Sequence, residues 1–188
     1  MELYEAIRAR HSIRAFKPEP VDRRVLLRLL EAAAAAPSSM NAQPWRYHIA
    51  TGKTRHEVGQ AMASSTLHLK DYIGVLDDRH IKEAEQFFGT LGNAPVVIAL
   101  SVPVPVDDLD RINAYVAAGC SLENLQLAAA VEGLGCCSIT FSFWVRDGLA
   151  EIYEIGPDRE IVSLIVIGWP AQEPAETSRR TDIATFLG

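Results

Sequence analysis

The chain has 188 residues, 48% apolar and 22% charged, which is material for a single domain spanning 1–188 and lacks the composition of disorder. Eighteen Lys and Arg against 24 Asp and Glu leave a net charge of −6, which argues against a non-specific nucleic-acid or membrane-surface binder. The charge is uneven: residues 1–28 hold seven basic and four acidic side chains, a balance of +3, so the remainder carries −9 and an anionic group is expected near the N-terminal segment.

Met1–Glu5 has neither the basic nor the apolar region of a secretory leader. No apolar run reaches the ~18 residues of a membrane span. Cys120, Cys136 and Cys137 are odd in number, two are adjacent, and no C-x-x-C occurs. They read as reduced thiols in a small-residue core, and the protein as cytoplasmic.

In chain order, Glu2–Ala9 reads as a short amphipathic helix with Leu3, Ala6 and Ile7 inward. Asp22–Ala36 follows, opened by a capping Asp and stopped by Pro37, with Val25, Leu26, Leu29, Leu30 and Ala33 on one face. Strands are expected at Arg46–Thr51, Val96–Val102, Gly135–Phe143 and Ile161–Ile167. Helices fall between them at Lys53–Lys70, Ile81–Leu91, Leu109–Glu132 and Val145–Ile155. The later strands are apolar on both faces, as in a sheet covered by helices on both sides. The order implies an α+β or mixed α/β domain. Between Arg111 and Glu132 the only charge is Glu123. That helix is apolar or small almost all round, including Ala118 and Gly119, which suits a helix shared between the core and a dimer interface.

No G-x-S-x-G, H-E-x-x-H, P-loop or G-x-G-x-x-G is present, so hydrolase, metal and Rossmann dinucleotide chemistry have little to stand on. The five histidines are scattered, and His48 reads as a structural strand residue. Arg8-Ala-Arg10-His11-Ser12-Ile13-Arg14 instead gathers three guanidinium groups, an imidazole and a hydroxyl, the donors that bind phosphate. A solvated helix end explains such a cluster equally well. A second cluster, Ala36-Pro37-Ser38-Ser39-Met40-Asn41-Ala42-Gln43-Pro44-Trp45, is a rigid loop rich in polar groups, which could serve the loop alone.

Taken together, the two clusters resemble the flavin-dependent nitroreductase family: R-[RH]-S-x-R-x-F, then P-S-x-x-N-x-Q-P-W some 25 residues later. Gly133-Leu134-Gly135-Cys136-Cys137 resembles the family's G-L-G-x-C turn, and Ile167–Ala171 with Ser178-Arg179-Arg180 resembles its C-terminal G-[YW]-P-A and basic tail. The resemblance implies a mixed sheet covered by helices, an intertwined homodimer, and FMN at the subunit interface. It implies that Arg10 and Ser12, with Arg179 or Arg180, hold the phosphate, and that His11 lies by the phosphate or the ribityl chain. Arg14 would lie beside N1 and the C2 carbonyl, where a cation favours the reduced, anionic ring. Pro37, Ser38, Ser39 and Asn41 would edge the ring from the second subunit, and backbone N–H groups around Thr140 and Phe141 would reach N5 and O4. Lys70 is a further candidate contact. The activity implied is NAD(P)H-dependent reduction of a nitroaromatic, quinone or similar acceptor, in alternating half-reactions over one cleft. The alternatives are a non-catalytic flavin store, a member with other flavin chemistry such as dehalogenation or flavin breakdown, or a flavin-independent protein whose basic N-terminus binds a phosphorylated partner.

Overall fold

Val96, Ile98, Leu100 and Val102 alternate with Val97 and Ala99, so an extended chain here needs cover on both faces. The computed structural model, which describes residues 1–72, 78–174 and 178–188, supplies that cover. Strands β1 (Arg46–Ala50), β2 (Val96–Pro103), β3 (Gly135–Ile139) and β4 (Arg159–Gly168) form one sheet in the order β1-β2-β4-β3, each pair antiparallel. Two isolated bridges attach the N-terminal segment, Ser12 to Cys136 parallel and Phe16 to Pro170 antiparallel. On one face, α2 (Arg23–Ala34) and α5 (Asp108–Val131) bury Leu29, Leu125 and Ala118 against Val96, Ile98, Leu100 and Ile165. On the other, α3 (Gly52–Ser65), α6 (Arg146–Ile152) and the end of α4 (Asp78–Thr90) bury Val58, Met62, Leu149 and Phe87 against Val97, Ala99 and Val166. Each fully buried Leu, Ile or Val contributes roughly 1.5–3 kcal/mol. Among the described residues no helix is long and apolar enough to cross a membrane, and no cluster of metal-ligating side chains occurs.

Local chemistry explains where the elements stop. Asp22 caps α2 by accepting the Arg24 N–H at 2.7 Å. Helix α3 ends at Ser65 rather than continuing to Lys70, because Ser64, Ser65 and Thr66 turn their hydroxyls onto the carbonyls of Ala61, Met62 and Ala63. A 3₁₀ segment, Thr66–Tyr72, follows. Strand β3 ends at Ile139, four residues before the expected Phe143. Thr140 leaves the strand, and Phe141–Val145 winds into a 3₁₀ turn closed by the Ser142 hydroxyl on the Ile139 carbonyl.

Two expectations about facing are corrected. In α1 (Leu3–Ala9) only Ala6 is buried, while Leu3 and Ile7 are exposed. In α5, Ala118 lies fully inside the chain's own core against α2, so it is not an interface position. Its outward apolar residues include Ile112, Tyr115 and Val116, with Gly119 continuing the same helical face at i, i+3, i+4 and i+7, and Leu109 and Val131 near its ends.

His48 is satisfied as a strand residue, its Nε2 sharing a hydrogen bond of 3.0 Å with the Ser101 hydroxyl. Burial first, then the charges of Arg46 and Arg159, holds its imidazole below the ordinary histidine pKa. The unfolded chain therefore takes up the proton first as the pH falls below about 6.5. This contribution to stability is full above that pH and is lost as the pH falls through the lowered folded value. The melting temperature of the wild type is expected to drop more than that of His48→Gln between about pH 7 and about pH 5, as calorimetry would show. Parallel curves would remove His48 as the source.

Candidate functional site

The N-terminal segment lies directly on the sheet edge, and glycine permits it. A Cβ on Gly135 would sit 2.7 Å from the Ile13 side chain. With that space open, the Ile13 N–H donates to the Cys136 carbonyl at 3.0 Å and Phe16 to the Gly92 carbonyl at 2.9 Å. Gly92 has a φ of +61°, and a Cβ there would collide with the Arg14 carbonyl. The Arg14 N–H donates to the Gln172 side chain, and Ala171 donates to Ala15, so the segment is tied on both edges. Ile13 and Phe16 enter the core, while Ser12 and Arg14 on either side of Ile13 stay exposed.

Two clefts flank this segment. The first, about 580 Å³, is lined by Arg10, His11, Gly133–Cys136 and Pro170–Pro174. The second, about 590 Å³, lies between Arg14 and the Cys137–Phe141 turn and is walled by His80, Glu83, Ala84, Phe87 and Phe88 of α4. Both fall within the usual size of small-molecule sites. The adjacent cysteines of β3 point to opposite sides. Burial pushes the Cys136 thiol up to about 12, with Cys137 adding to the rise, Arg10 opposing it and Glu123 adding to it. Burial likewise pushes Cys137 up, against the charge of Arg14 and hydrogen bonds from Ser12 and Arg14. Both thiols are protonated structural groups near neutral pH.

The arginines differ in their surroundings. Arg10 pairs with Glu123 of α5 at 3.1 Å. Arg14 forms no ion pair among the described residues, although Glu83 lines the same cleft, because that carboxylate is held by Arg79 at 2.8 Å. Among the described residues, Arg14 is thus a cation that faces a cleft without a carboxylate partner. The cleft's far wall is aromatic and flat: the Phe88 and Phe141 rings stack with centroids 4.7 Å apart and planes 2° apart.

The structure brings Arg10, His11, Ser12, Arg14, Thr140 and Phe141 to these adjoining clefts. It does not bring Pro37, Ser38, Ser39 and Asn41 there: they lie on an exposed loop leading into β1, joined to β2 and β4 through Pro44. Arg179 and Arg180 lie in the exposed C-terminal segment and line neither cleft. The Lys70 side chain lies outside the described residues. Sequence reading missed Glu123 as the partner of Arg10 and the whole α4 wall. The signal was present: residues 80, 83, 84, 87 and 88 follow i, i+3, i+4, i+7 and i+8, with a His and a Glu interrupting an apolar face.

The Ser38–Pro44 loop is strained. Met40, Asn41 and Gln43 have φ of 52°, 56° and 46°, three of the six non-glycine residues with positive φ among the described residues. Such conformations cost of order 1–3 kcal/mol each and persist where surrounding bonds over-determine them. Here the Ser38 hydroxyl accepts the Gln43 N–H at 2.9 Å, leaving its own proton free to donate.

The chain is similar to known proteins. The chain is 28% identical to a 4-nitrobenzoate reductase of Nocardioides sp. (strain LMS-CY), over 96% of this chain and 86% of that protein. It is 24% identical to a nitrobenzene nitroreductase of Ectopseudomonas oleovorans, over 88% and 85%. The fold superposes on the crystal structure of the FMN and NADPH-dependent nitroreductase NfnB from sphigopyxis sp. strain HMH with a TM-score of 0.82, at 22% identity and covering 100% of both chains. A nitroreductase with bound FMN from Bacteroides fragilis gives 0.75 at 21% identity, again over 100% of both. Residues 7–169 match the model of the nitroreductase family, and the chain belongs to that family.

Proposed function

We propose that this chain is a single-domain, cytoplasmic, homodimeric oxidoreductase that binds FMN and uses NAD(P)H to reduce a nitroaromatic, quinone or similar acceptor. The observation that carries the reading is the cation of Arg14, without a carboxylate partner among the described residues, opposite the aromatic wall of Phe88 and Phe141. The donor set fits FMN group by group. A phosphate dianion suits the guanidinium of Arg10, the Ser12 hydroxyl and His11, with Arg179 or Arg180 joining from the tail. The planar ring suits the aromatic slot, with Arg14 beside its anionic edge and the backbone N–H groups of Thr140 and Phe141 at the other. Pro37, Ser38, Ser39 and Asn41 reach the ring from the second subunit, which agrees with their distance from the clefts of their own chain.

Bound FMN supplies the electron transfer between nicotinamide and acceptor, alternating between the two over one cleft. The chain's own residues orient and tune. Arg14 favours negative charge at the ring edge. The Phe87, Phe88 and Phe141 wall excludes water from one side of the slot. No side chain among these is required as a general acid, since water supplies protons. The outward Ile112, Tyr115 and Val116 of α5 and the exposed Leu3, Tyr4 and Ile7 of α1, a helix that packs on α5, support the dimer as apolar side chains left wet in the single chain.

Gentle purification is expected to yield a yellow protein with one non-covalent FMN per chain, identified by chromatography after heat release. Rapid mixing with NADH or NADPH without oxygen is expected to bleach it. Failure to bind FMN added at micromolar concentration would overturn the reading, and bound FMN that neither nicotinamide bleaches would overturn its enzymatic half.

A further inference from the structure

We infer that Arg159 is a positioning residue for the flavin site, clamping the strained Ser38–Pro44 loop through the Pro44 carbonyl. The inference rests on the reading that this loop edges the FMN of the partner subunit. Arg159 opens β4 with its guanidinium half-buried, and burial lowers its pKa without discharging it. One terminal nitrogen donates to the Pro44 carbonyl at 2.7 Å and to the Ser101 carbonyl at 2.9 Å. Its Nε donates to the Ser101 hydroxyl at 3.0 Å, which in turn meets His48. The sheet is built to make room for this. Leu100 pairs with Ser163 but Ser101 pairs with Ile161, so the ladder skips Val162 at this point.

The geometry makes Arg159 a peg between two strands and a loop. Internal bonds hold Asn41 to Ser38, Ala42 to Ser39 and Gln43 to the Ser38 hydroxyl. They set the shape of the turn but do not attach it to the sheet. The Arg159–Pro44 bond ties the loop's last residue to β4, two residues before β1 joins the ladder at Arg46. Without that bond the three left-handed residues, none of them glycine, are held by the turn's own bonds and by β1 two residues on, and they are expected to relax, carrying Ser39 and Asn41 with them.

The test compares Arg159→Met, Arg159→Lys and Ser101→Ala with the wild-type FMN-loaded dimer. Arg159→Met is expected to raise the FMN dissociation constant about tenfold, as follows if the ordered loop is populated only about one-tenth of the time. Amide exchange over residues 38–44 is expected to accelerate about as much, while β2 and β4 stay protected. Arg159→Lys, which keeps the charge and can reach Pro44, is expected to recover part of both effects. Ser101→Ala keeps the Arg159–Pro44 bond and is expected to leave the dissociation constant within about twofold, a change worth less than ~0.5 kcal/mol. If Arg159→Met does not fold, the graded effect of Arg159→Lys on loop exchange decides alone. Unchanged loop exchange, or faster exchange spread evenly over the sheet, overturns the proposal. Ser39→Ala separates the two readings: if it leaves FMN affinity unchanged, the loop does not edge the flavin, whatever Arg159 does.

Discussion

Arg10→Ala and Arg14→Ala are expected to separate flavin affinity from flavin potential. The two side chains sit four residues apart on one extended segment yet face different clefts. Arg10, assigned to the phosphate, contributes charge-assisted hydrogen bonds of ~1.5–3 kcal/mol each. Losing one weakens FMN binding about ten- to a hundredfold and leaves the potential of any bound flavin nearly unchanged. Arg14 is proposed to stand by the ring, where the reduced anionic form needs a counter-charge and the oxidised form much less. Arg14→Ala is therefore expected to lower the midpoint potential, by ~30–60 mV if one such bond is specific to the reduced ring. Reduction by NAD(P)H slows even at saturating FMN. Glu123 adds an internal control, because its carboxylate competes for Arg10. Glu123→Gln is expected to tighten FMN by up to about fivefold, the ~1 kcal/mol of a half-exposed ion pair. Equal effects of both arginine changes on both quantities would reduce the segment to an undifferentiated basic patch.

Val116→Arg is expected to split the dimer without unfolding the chain. Val116 is 62% exposed on α5, so the arginine reaches water in an isolated protomer. In a two-fold interface the same substitution occurs twice, placing two unpaired charges in one apolar contact. At ~3 kcal/mol or more per buried charge, the dimer dissociation constant rises by about four orders of magnitude. Sedimentation is expected to show a folded monomer with little FMN, against a flavin-loaded dimer for the wild type. Ala118→Arg is a different experiment: that side chain is fully buried in the protomer, and arginine there disrupts α2–α5 packing before any interface is reached. A wild-type chain that remains a flavin-loaded monomer on dilution would overturn the assignment of the α5 face.

The parts legible in the sequence are those whose cause is local or strictly periodic. Near-continuous apolar runs along β2 and β4 announced a sheet covered on both faces, Asp22 and Pro37 bracketed α2, and two motifs at fixed separation carried the family. Helix α5 was visible as a nearly uncharged run, but not its orientation. A run that is apolar all round has no moment to distinguish Ala118, which faces α2, from Val116, which faces outward.

The site itself depended on distant partners. Thr140-Phe-Ser-Phe-Trp144 has strong strand propensity, yet Phe141 stacks on Phe88 and Trp144 stacks on His68 with centroids 4.4 Å apart. Those contacts from α4 and the segment after α3 outweigh propensity and turn the chain into the cleft wall. The same holds for charge. The motif presented Arg10 and Arg14 as alike, and only the fold supplies Glu123 to one while Arg79 withholds Glu83 from the other. By itself the sequence determined the strand and helix inventory, the two flavin-type motifs and their family, because spacing and periodicity are properties of neighbours along the chain. Tertiary structure alone decided that Arg10 meets Glu123 while Arg14 meets no carboxylate among the described residues, which face of α5 is left wet in the protomer, and that Arg159 bonds a loop 115 residues away. Those are properties of neighbours in space, and no local pattern encodes them.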